Sequence, residues 1–278
     1  MSLPLDVVPT IVVSLPKAAQ LFLKTHDLIY ASRPPLEVAK YIAWEQKNLA
    51  FAQYGSYWRN TCKMCMLELL NQAKINYFRS LRDAELDLLV KHLREAAKDG
   101  AVVDLSAKVA ALIADTACRM ILGKKYMDQD LDEKGFKAVM TEIMYLAATP
   151  NIGDYIPYIG KLDLQGLIKR MKAMRKVFDE FIDKIIDEHI ESKKEENKVK
   201  DFVDVMLGLL GTEESEYCVE RPIIKAILLD ILAGSIDTSA TTIEWALSEL
   251  IKNPRVMKKL QIEHTYIVLI YLGGLKLL

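Results

Sequence analysis

A short polar segment, Gly234 to Ser239, interrupts the otherwise apolar stretch between Pro222 and Pro254. The segment reads Gly-Ser-Ile-Asp-Thr-Ser and places a glycine, a carboxylate and hydroxyl groups where a buried helix ordinarily carries leucine. Glycine lets a flat group approach the backbone closely. The hydroxyl of Thr238 can donate to the carbonyl of Gly234, four residues back, and loosen the helix there. These residues are therefore the first candidates for a functional site.

The apolar residues on both sides of this segment follow a helical period. They are Ile223, Ile224, Ile227, Leu228, Ile231 and Leu232 before it, and Ile243, Leu247, Leu250 and Ile251 after it. This pattern predicts one helix over residues 222–252, about 30 residues and about 45 Å long, with a local distortion at 234–238. The alternative is two helices with a capped break, because Thr241 and Glu244 have the spacing of a capping box.

A second group of candidates begins at Tyr54, where Tyr-Gly-Ser-Tyr-Trp-Arg opens a predicted helix that runs to about Asn71. By residue type alone, Trp58 is a core aromatic. Cys62 and Cys65 have the spacing of a redox or zinc motif. A redox pair needs a βαβ setting and a zinc site needs two further ligands nearby, and the sequence indicates neither. We therefore interpret both cysteines as ordinary thiols.

Most of the remaining chain has the pattern of amphipathic helices. Apolar stripes predict helices over 81–99, 109–120, 136–149, 167–191 and 201–207, and we assign these stripes to the core. A β-branched run at 11–13 predicts a small N-terminal β element, followed by a helix from Pro16 to Thr25. The connecting segments are 36–54, 151–166 and a charged, solvated linker at 192–200.

The composition excludes several classes of function. The 278 residues carry 37 basic and 38 acidic side chains, a net charge of −1, so the sequence indicates no basic surface for nucleic acid. A hydrophobic content of 51% supports a large core. The cysteines lack the spacing of a secreted disulfide framework and are expected to be reduced. No run of about 20 apolar residues encodes a transmembrane helix, and the first residues do not form a signal peptide.

The segment Gly234 to Ser239 resembles the oxygen-activation motif of the cytochrome P-450 family, in which an acid and a threonine follow small residues. Residues 240–246 and 249–250 resemble the plant microsomal members of that family. The segment Tyr54 to Lys63 is similar to the family pattern Tyr-Gly-x-Tyr-Trp-Arg-x-x-Arg-Lys, but Cys62 stands where the pattern has its second arginine. In the family, that arginine and the tryptophan face the haem propionates.

The resemblance implies a mainly α fold, the distal half of the cytochrome P-450 fold with a small N-terminal β element. It covers roughly residues 5–263. We therefore expect a partial domain over 1–263 and an unrelated, poorly packed tail over 264–278. The resemblance also implies that this chain lacks the family's N-terminal membrane anchor and its C-terminal region with the iron-ligating cysteine, so no metal ligand is expected here. Residues 36–54 correspond to the first substrate-recognition loop.

The function implied is that of a haem-dependent monooxygenase of plant secondary metabolism. Such enzymes insert one oxygen atom of O₂ into a small apolar substrate, using electrons from an NADPH-dependent reductase. The intact family works on the cytosolic face of the endoplasmic reticulum membrane, and this chain, without an anchor, is expected in the cytoplasm. The motif match assigns proton delivery to Asp237 and Thr238. It assigns haem binding to Trp58, Gly234 and Thr238, and a border with substrate to Ile231, Ser235 and Ile236.

Two hypotheses remain open for the chain itself. One is a monooxygenase whose sequence is incomplete, and the other is a non-enzymatic helical remnant or binding module without haem. Under both, we expect that the chain as given does not catalyse oxygenation, because none of its cysteines, Cys62, Cys65, Cys118 and Cys218, matches the family's ligand loop. Loss of the propionate arginine to Cys62 should also weaken haem retention.

Overall fold

Helices make up most of the described part of the chain, which comprises residues 1–5, 8–126, 135–192, 200–211 and 219–272 of a computed structural model. Side chains are described as far as Glu263, except those of Pro4 and Leu5. Most of the predicted charged linker, 193–199, and Cys218 lie outside the described residues.

The predicted mainly α fold with a small N-terminal β element is confirmed. Two π-helical segments, Leu21–Thr25 and Cys65–Leu69, continue α1 and α4 respectively. In chain order the strands and α-helices are β1 (Ser2–Leu5), β2 (Val8–Ile11), α1 (Pro16–Gln20), α2 (Asp27–Tyr30), α3 (Glu37–Tyr41), α4 (Ser56–Met64), α5 (Gln72–Tyr77), α6 (Arg79–Lys98), α7 (Leu105–Leu122), α8 (Gly135–Ala148), α9 (Ile152–Tyr155), α10 (Pro157–Gly160), α11 (Leu167–Ser192), α12 (Phe202–Gly208), α13 (Arg221–Lys252) and α14 (Pro254–Leu272).

The N-terminal β element is an antiparallel hairpin. Its register pairs Ser2 with Ile11 and Leu5 with Val8. The second strand ends at Ile11, so the β-branched run at 11–13 marks the exit from the hairpin rather than a strand of its own. Pro16 then opens α1, as its fixed φ and missing N–H favour.

The core lies where α7, α8, α11, α12 and the first half of α13 meet. α7 packs along α13, and α11 packs against α8, α12 and α3. The predicted apolar stripes of α8, α11 and α12 are largely buried, and that of α7 is partly buried. The stripe predicted on α6 is not part of the core, because Leu86 is 49% exposed and Leu89, Val90 and Leu93 are only partly buried. The fully buried core residues include Leu122, Phe136, Leu146, Phe178, Ile182, Ile186 and Met206.

The long helix α13 is continuous from Arg221 to Lys252. The prediction of one helix is therefore correct, and the alternative of a capped break at Thr241 is excluded. The hydroxyl of Thr238 donates to the Gly234 carbonyl at 2.6 Å, as expected. The distortion predicted at 234–238 does not interrupt the α-helical backbone.

The end of α7 is built around a glycine and a buried ion pair. Gly123 ends the helix with a φ of +80°, and a Cβ added there would clash with Oδ2 of Asp201. Asp201 also begins α12 through a capping box with Asp204. The two nitrogens of His189 lie 2.7 Å from the Ile185 carbonyl and 2.8 Å from Oδ2 of Asp201. Because both nitrogens face oxygen acceptors, the protonated imidazolium fits this site.

The Gly123→Ala substitution should destabilise the chain by about 2–4 kcal/mol, since it combines a left-handed backbone with a clash against Asp201. Gly100→Ala is the matched control. Gly100 also has a positive φ, +62°, but open space around it, so its loss should cost only about 1 kcal/mol. Urea unfolding measures both values. Equal costs at the two positions would contradict the assigned contact with Asp201.

The stability of the chain should also depend on the charge of His189. Burial alone lowers the pKa of His189, but the hydrogen bond and charge of Asp201 raise it more, so its pKa in the folded chain lies above the ordinary value of 6.5. Because the pKa of His189 is raised by folding, its ion pair with Asp201 contributes stability that is fully present below pH 6.5, the unfolded-state pKa. This stability is lost as the pH rises through the pKa of His189 in the folded chain. The free energy of unfolding should therefore fall as pH increases above neutrality.

This contribution should disappear in His189→Gln, whereas the exposed His92 on α6 provides the control variant His92→Gln. Urea unfolding at a series of pH values would measure the slope. A wild-type slope that His189→Gln leaves unchanged would show that another group is responsible.

Candidate active site

The two halves of α13 have different surroundings. Residues from Ile223 to Leu229 are buried on all sides. In the second half, from Ala233 onward, the apolar residues are partly buried only at every third or fourth position, and most other residues are exposed, apart from the partly buried Ser235 and Ser248. The partly buried apolar positions are Ala233, Ile236, Ala240, Ile243, Leu247 and Leu250. The spacing is that of one helix face, so the second half of α13 has one face packed on α7 and one open face.

The open face carries two of the predicted site residues, Gly234 and Thr238, both exposed. At 100° per residue, Ile231 and Ser235 lie next to them on the same side of the helix. The Ser235 hydroxyl donates to the Leu232 carbonyl at 3.2 Å. Because Thr238 donates its only hydroxyl proton to Gly234, its two oxygen lone pairs remain available as acceptors.

The opposite side of the motif borders a cavity of about 160 Å³ between α7, α8 and α13. Ile236 and Asp237 reach this cavity, whereas Ile231 and Ser235 do not. The chain thus separates the three predicted substrate positions onto two sides of the helix. The lining is Ala107, Ala110 and Ala111 from α7, Phe136, Lys137, Met140, Thr141 and Met144 from α8, and Leu232, Ala233, Ile236 and Asp237 from α13.

Two polar residues of this cavity, Lys137 and Thr141, were not among the predicted site residues. They stand four residues apart at the exposed edge of the apolar stripe of α8. Residues four apart share a helix face, so a polar pair beside Met140 on an apolar stripe was a usable signal. The alanines of α7 gave another, since small side chains three and four apart leave space against a neighbouring helix.

Trp58 is connected to α13 through the peptide of Leu49. The indole N–H donates to the Leu49 carbonyl at 3.1 Å, and the Leu49 amide donates to the carboxylate of Asp230 at 2.6 Å. The structure therefore brings Trp58 near α13 at Asp230, which lies one helical turn before Gly234. Its N–H is already satisfied by the chain, so a haem propionate would have to displace Leu49 from it.

The residues around Gly234 fit one side of a haem. Among the described residues, no atom outside the backbone of α13 itself lies within 4 Å of the position that a Cβ of Gly234 would occupy, so a flat ring can approach the helix there. The thiolate side does not fit the described cysteines. Burial raises the pKa of Cys65 and Cys118 to about 12 and raises that of Cys62. These thiols are protonated at neutral pH, whereas an iron ligand must be a thiolate.

Among the described residues, one group has the spacing of a metal site: His189, Asp201 and Asp204. Both nitrogens of His189 face oxygen acceptors at hydrogen-bond distance, so neither is free to coordinate an ion. In the same part of the chain, no helix combines the length and apolar character that crossing a bilayer requires.

Comparison with solved structures defines the fold. The chain is similar to a zebrafish cytochrome P450 solved with progesterone, with a TM-score of 0.68, 19% sequence identity, and coverage of 95% of this chain and 60% of that chain. A zebrafish cytochrome P450 solved with abiraterone gives a TM-score of 0.66 at 19% identity, covering 95% of this chain and 57% of that one. The described chain thus has part of the cytochrome P450 fold.

Sequence comparison defines the family. The cytochrome P450 family model matches residues 1–268. A Panax ginseng relative, cytochrome P450 CYP736A12, is 47% identical over 95% of this chain and 53% of its own length. Cytochrome P450 71A1 of Persea americana is 38% identical over 92% of this chain and 52% of its own. Flavonoid 3'-monooxygenase CYP75B137 of Crocosmia x crocosmiiflora is 34% identical over 94% of this chain and 52% of its own length.

The chain belongs to the cytochrome P450 family. It spans about half the length of the curated relatives it matches. The predicted family is therefore confirmed.

The open space at Gly234 predicts that this glycine weakens the folded chain. Glycine inside a helix costs roughly 0.5–1 kcal/mol relative to alanine. Gly234→Ala should therefore stabilise the chain by that amount in urea unfolding, because its new Cβ meets no other atom. The reciprocal control is Ala246→Gly, at an exposed position of the same helix, which should cost a similar amount. Destabilisation by Gly234→Ala would mean that a contact within the chain requires the glycine.

Proposed function

We propose that this chain carries the oxygen-side half of a haem-dependent monooxygenase of plant secondary metabolism, which inserts oxygen from O₂ into a small apolar substrate. The observation that carries the proposal is the family match over residues 1–268. The exposed Gly234 and Thr238 on one helix face support it. The name of the Crocosmia relative, a flavonoid 3'-monooxygenase, supports the same reaction class.

Each residue of the motif has a role in this proposal. Haem, when bound, would supply the activation of O₂. Gly234 leaves room for a flat ring against the helix. The carboxylate of Asp237 and the hydroxyl of Thr238 hold and pass a proton toward dioxygen, since a positioned acid and hydroxyl can relay protons. Ile231 and Ser235 border the substrate beside the open face, and Ile236 does so from the cavity side.

The proposed partners follow from the family and the plant origin of its relatives. An NADPH-dependent reductase would supply two electrons for each turnover. The whole protein would act on the cytosolic face of the endoplasmic reticulum membrane. Trp58 would bind a haem propionate once its indole N–H is released from the Leu49 carbonyl.

A fusion of residues 1–263 to the C-terminal half of the Panax ginseng relative tests the function. We expect it to give the carbon monoxide difference spectrum of thiolate-ligated haem. Thr238→Ala in this fusion should keep that spectrum but lower product formation by about 10²-fold, because the proton relay is lost. The control Thr241→Ala changes an exposed hydroxyl next along the same helix and should have little effect. A fusion without haem or product would favour the non-enzymatic alternative.

The 278-residue chain alone should not give the thiolate spectrum with added haem. Its buried thiols have pKa values of about 12 at Cys65 and Cys118, so they remain protonated and do not ligate iron. The measurement is the same reduced carbon monoxide spectrum on purified chain. A thiolate-type band would contradict this expectation and would make Cys62 and Cys218 the candidates for the iron ligand.

A further inference from the structure

The connection between α3 and α4 contains an unusual turn. Trp44, Glu45 and Gln46 have φ values of 48°, 58° and 65°, so three successive residues that are not glycine are left-handed. This conformation is unfavourable for residues with a Cβ. The turn is closed by backbone hydrogen bonds from Glu45 to Lys40 at 3.2 Å and from Gln46 to Ala39 at 3.1 Å. Such a turn persists only where its surroundings hold it.

One side of the turn is held by α11. The indole of Trp44 is buried, and its N–H donates to the carboxylate of Asp179 at 3.1 Å. The guanidinium of Arg175 lies 4.3 Å from the centre of the Trp44 ring and donates to the Asp179 carboxylate at 2.8 Å. These contacts fix the first half of the connection.

The other side is held by α13. One carboxylate oxygen of Asp230 accepts the side-chain amide of Asn48 at 2.7 Å. Its second oxygen accepts the backbone amides of Leu49 at 2.6 Å and Ala50 at 3.1 Å. The amide oxygen of Asn48, itself 2% exposed, accepts the backbone amide of Phe51 at 3.1 Å. Asp230 and Asn48 together therefore satisfy four donors of this connection.

The position of Asp230 places the connection beside the motif. Gly234 is one helical turn further along α13, and residues four apart share a helix face. The segment 48–51 thus borders the open face on its N-terminal side. The same segment accepts the indole N–H of Trp58 through the Leu49 carbonyl.

We propose that Asp230 and Asn48 form a positioning pair that holds residues 42–51 against the open face of α13 at Gly234, keeping the strained turn at 44–46 in place. Resting on the proposed function, this pair sets one wall of the substrate space without touching the reacting atoms. It therefore determines which apolar substrates fit through the placement of the segment. Asp230 and Asn48 are positioning residues in this sense.

Exchanging the two side chains tests the pair. In Asp230→Asn, the new NH₂ group opposes either the side-chain amide of Asn48, which loses one hydrogen bond, or the backbone amides of Leu49 and Ala50, which lose two. In Asn48→Asp, two carboxylates face each other. In the double variant, Asn at 230 can donate to Asp at 48 and accept from Leu49 and Ala50, while Asp at 48 still accepts from Phe51. All four hydrogen bonds can then form again.

Native-state hydrogen exchange of the Leu49, Ala50 and Phe51 amides provides the measurement. Each single substitution should accelerate exchange about tenfold or more at these amides, the effect of losing one buried hydrogen bond. The double variant should return them to within about threefold of wild type. Amides of the α11 core should be unchanged throughout. The control Glu249→Gln, an exposed carboxylate on the same helix, should change none of them.

Additive effects in the double variant, without recovery, would overturn the proposal, as would accelerated exchange spread evenly over the core. If the single variants do not fold, a double variant that folds supports the pair and one that does not fold overturns it. None of these outcomes depends on haem. A failure here is therefore distinguishable from a failure of the proposed function, which the fusion protein tests.

Discussion

The packing of α7 along α13 is the contact on which the rest of the structure depends. It covers one face of the second half of α13, where Ala233, Ile236, Ala240, Ile243 and Leu247 are partly buried. The Ser106 hydroxyl extends this contact by donating to the carboxylate of Glu244 at 2.8 Å. The other face stays open, so apolar residues such as Trp245 remain 64% exposed. The site exists because the second half of α13 is covered on one side only.

The buried first half of α13 contacts α11 and the segment before α4 through charged side chains. Lys225 contacts Asp179 at 2.9 Å and Asp183 at 2.6 Å on α11, while Asp230 accepts three donors from the segment before α4. These partly buried carboxylates accept hydrogen bonds from donors that the fold positions, which offsets their loss of contact with water. The helix therefore connects α11, the strained turn and the motif, and Asp179 contacts both Lys225 and Trp44.

Periodicity predicted the helices and the continuity of α13, since apolar residues recur at helical spacing on both sides of Gly234. It could not say which face of that helix meets α7, because tertiary packing decides this. Ile236 therefore lies on the cavity side, away from Ile231 and Ser235. The left-handed turn at Trp44 carries no glycine to reveal it. The buried hydrogen bonds of Asp230 could have been predicted from the sequence, because a single carboxylate inside an apolar run needs buried donors.

The most direct test of this account is a cysteine scan of residues 231–247 in a chain whose four native cysteines are replaced by serine. Labelling rates with a thiol reagent should rise and fall with a period of 3.6 residues without a change of phase. Positions 234, 238, 241 and 245 should react fast, and 232, 236, 243 and 247 slowly. A phase shift across 234–238, or equal rates throughout, would contradict a continuous helix with one packed face and one open face.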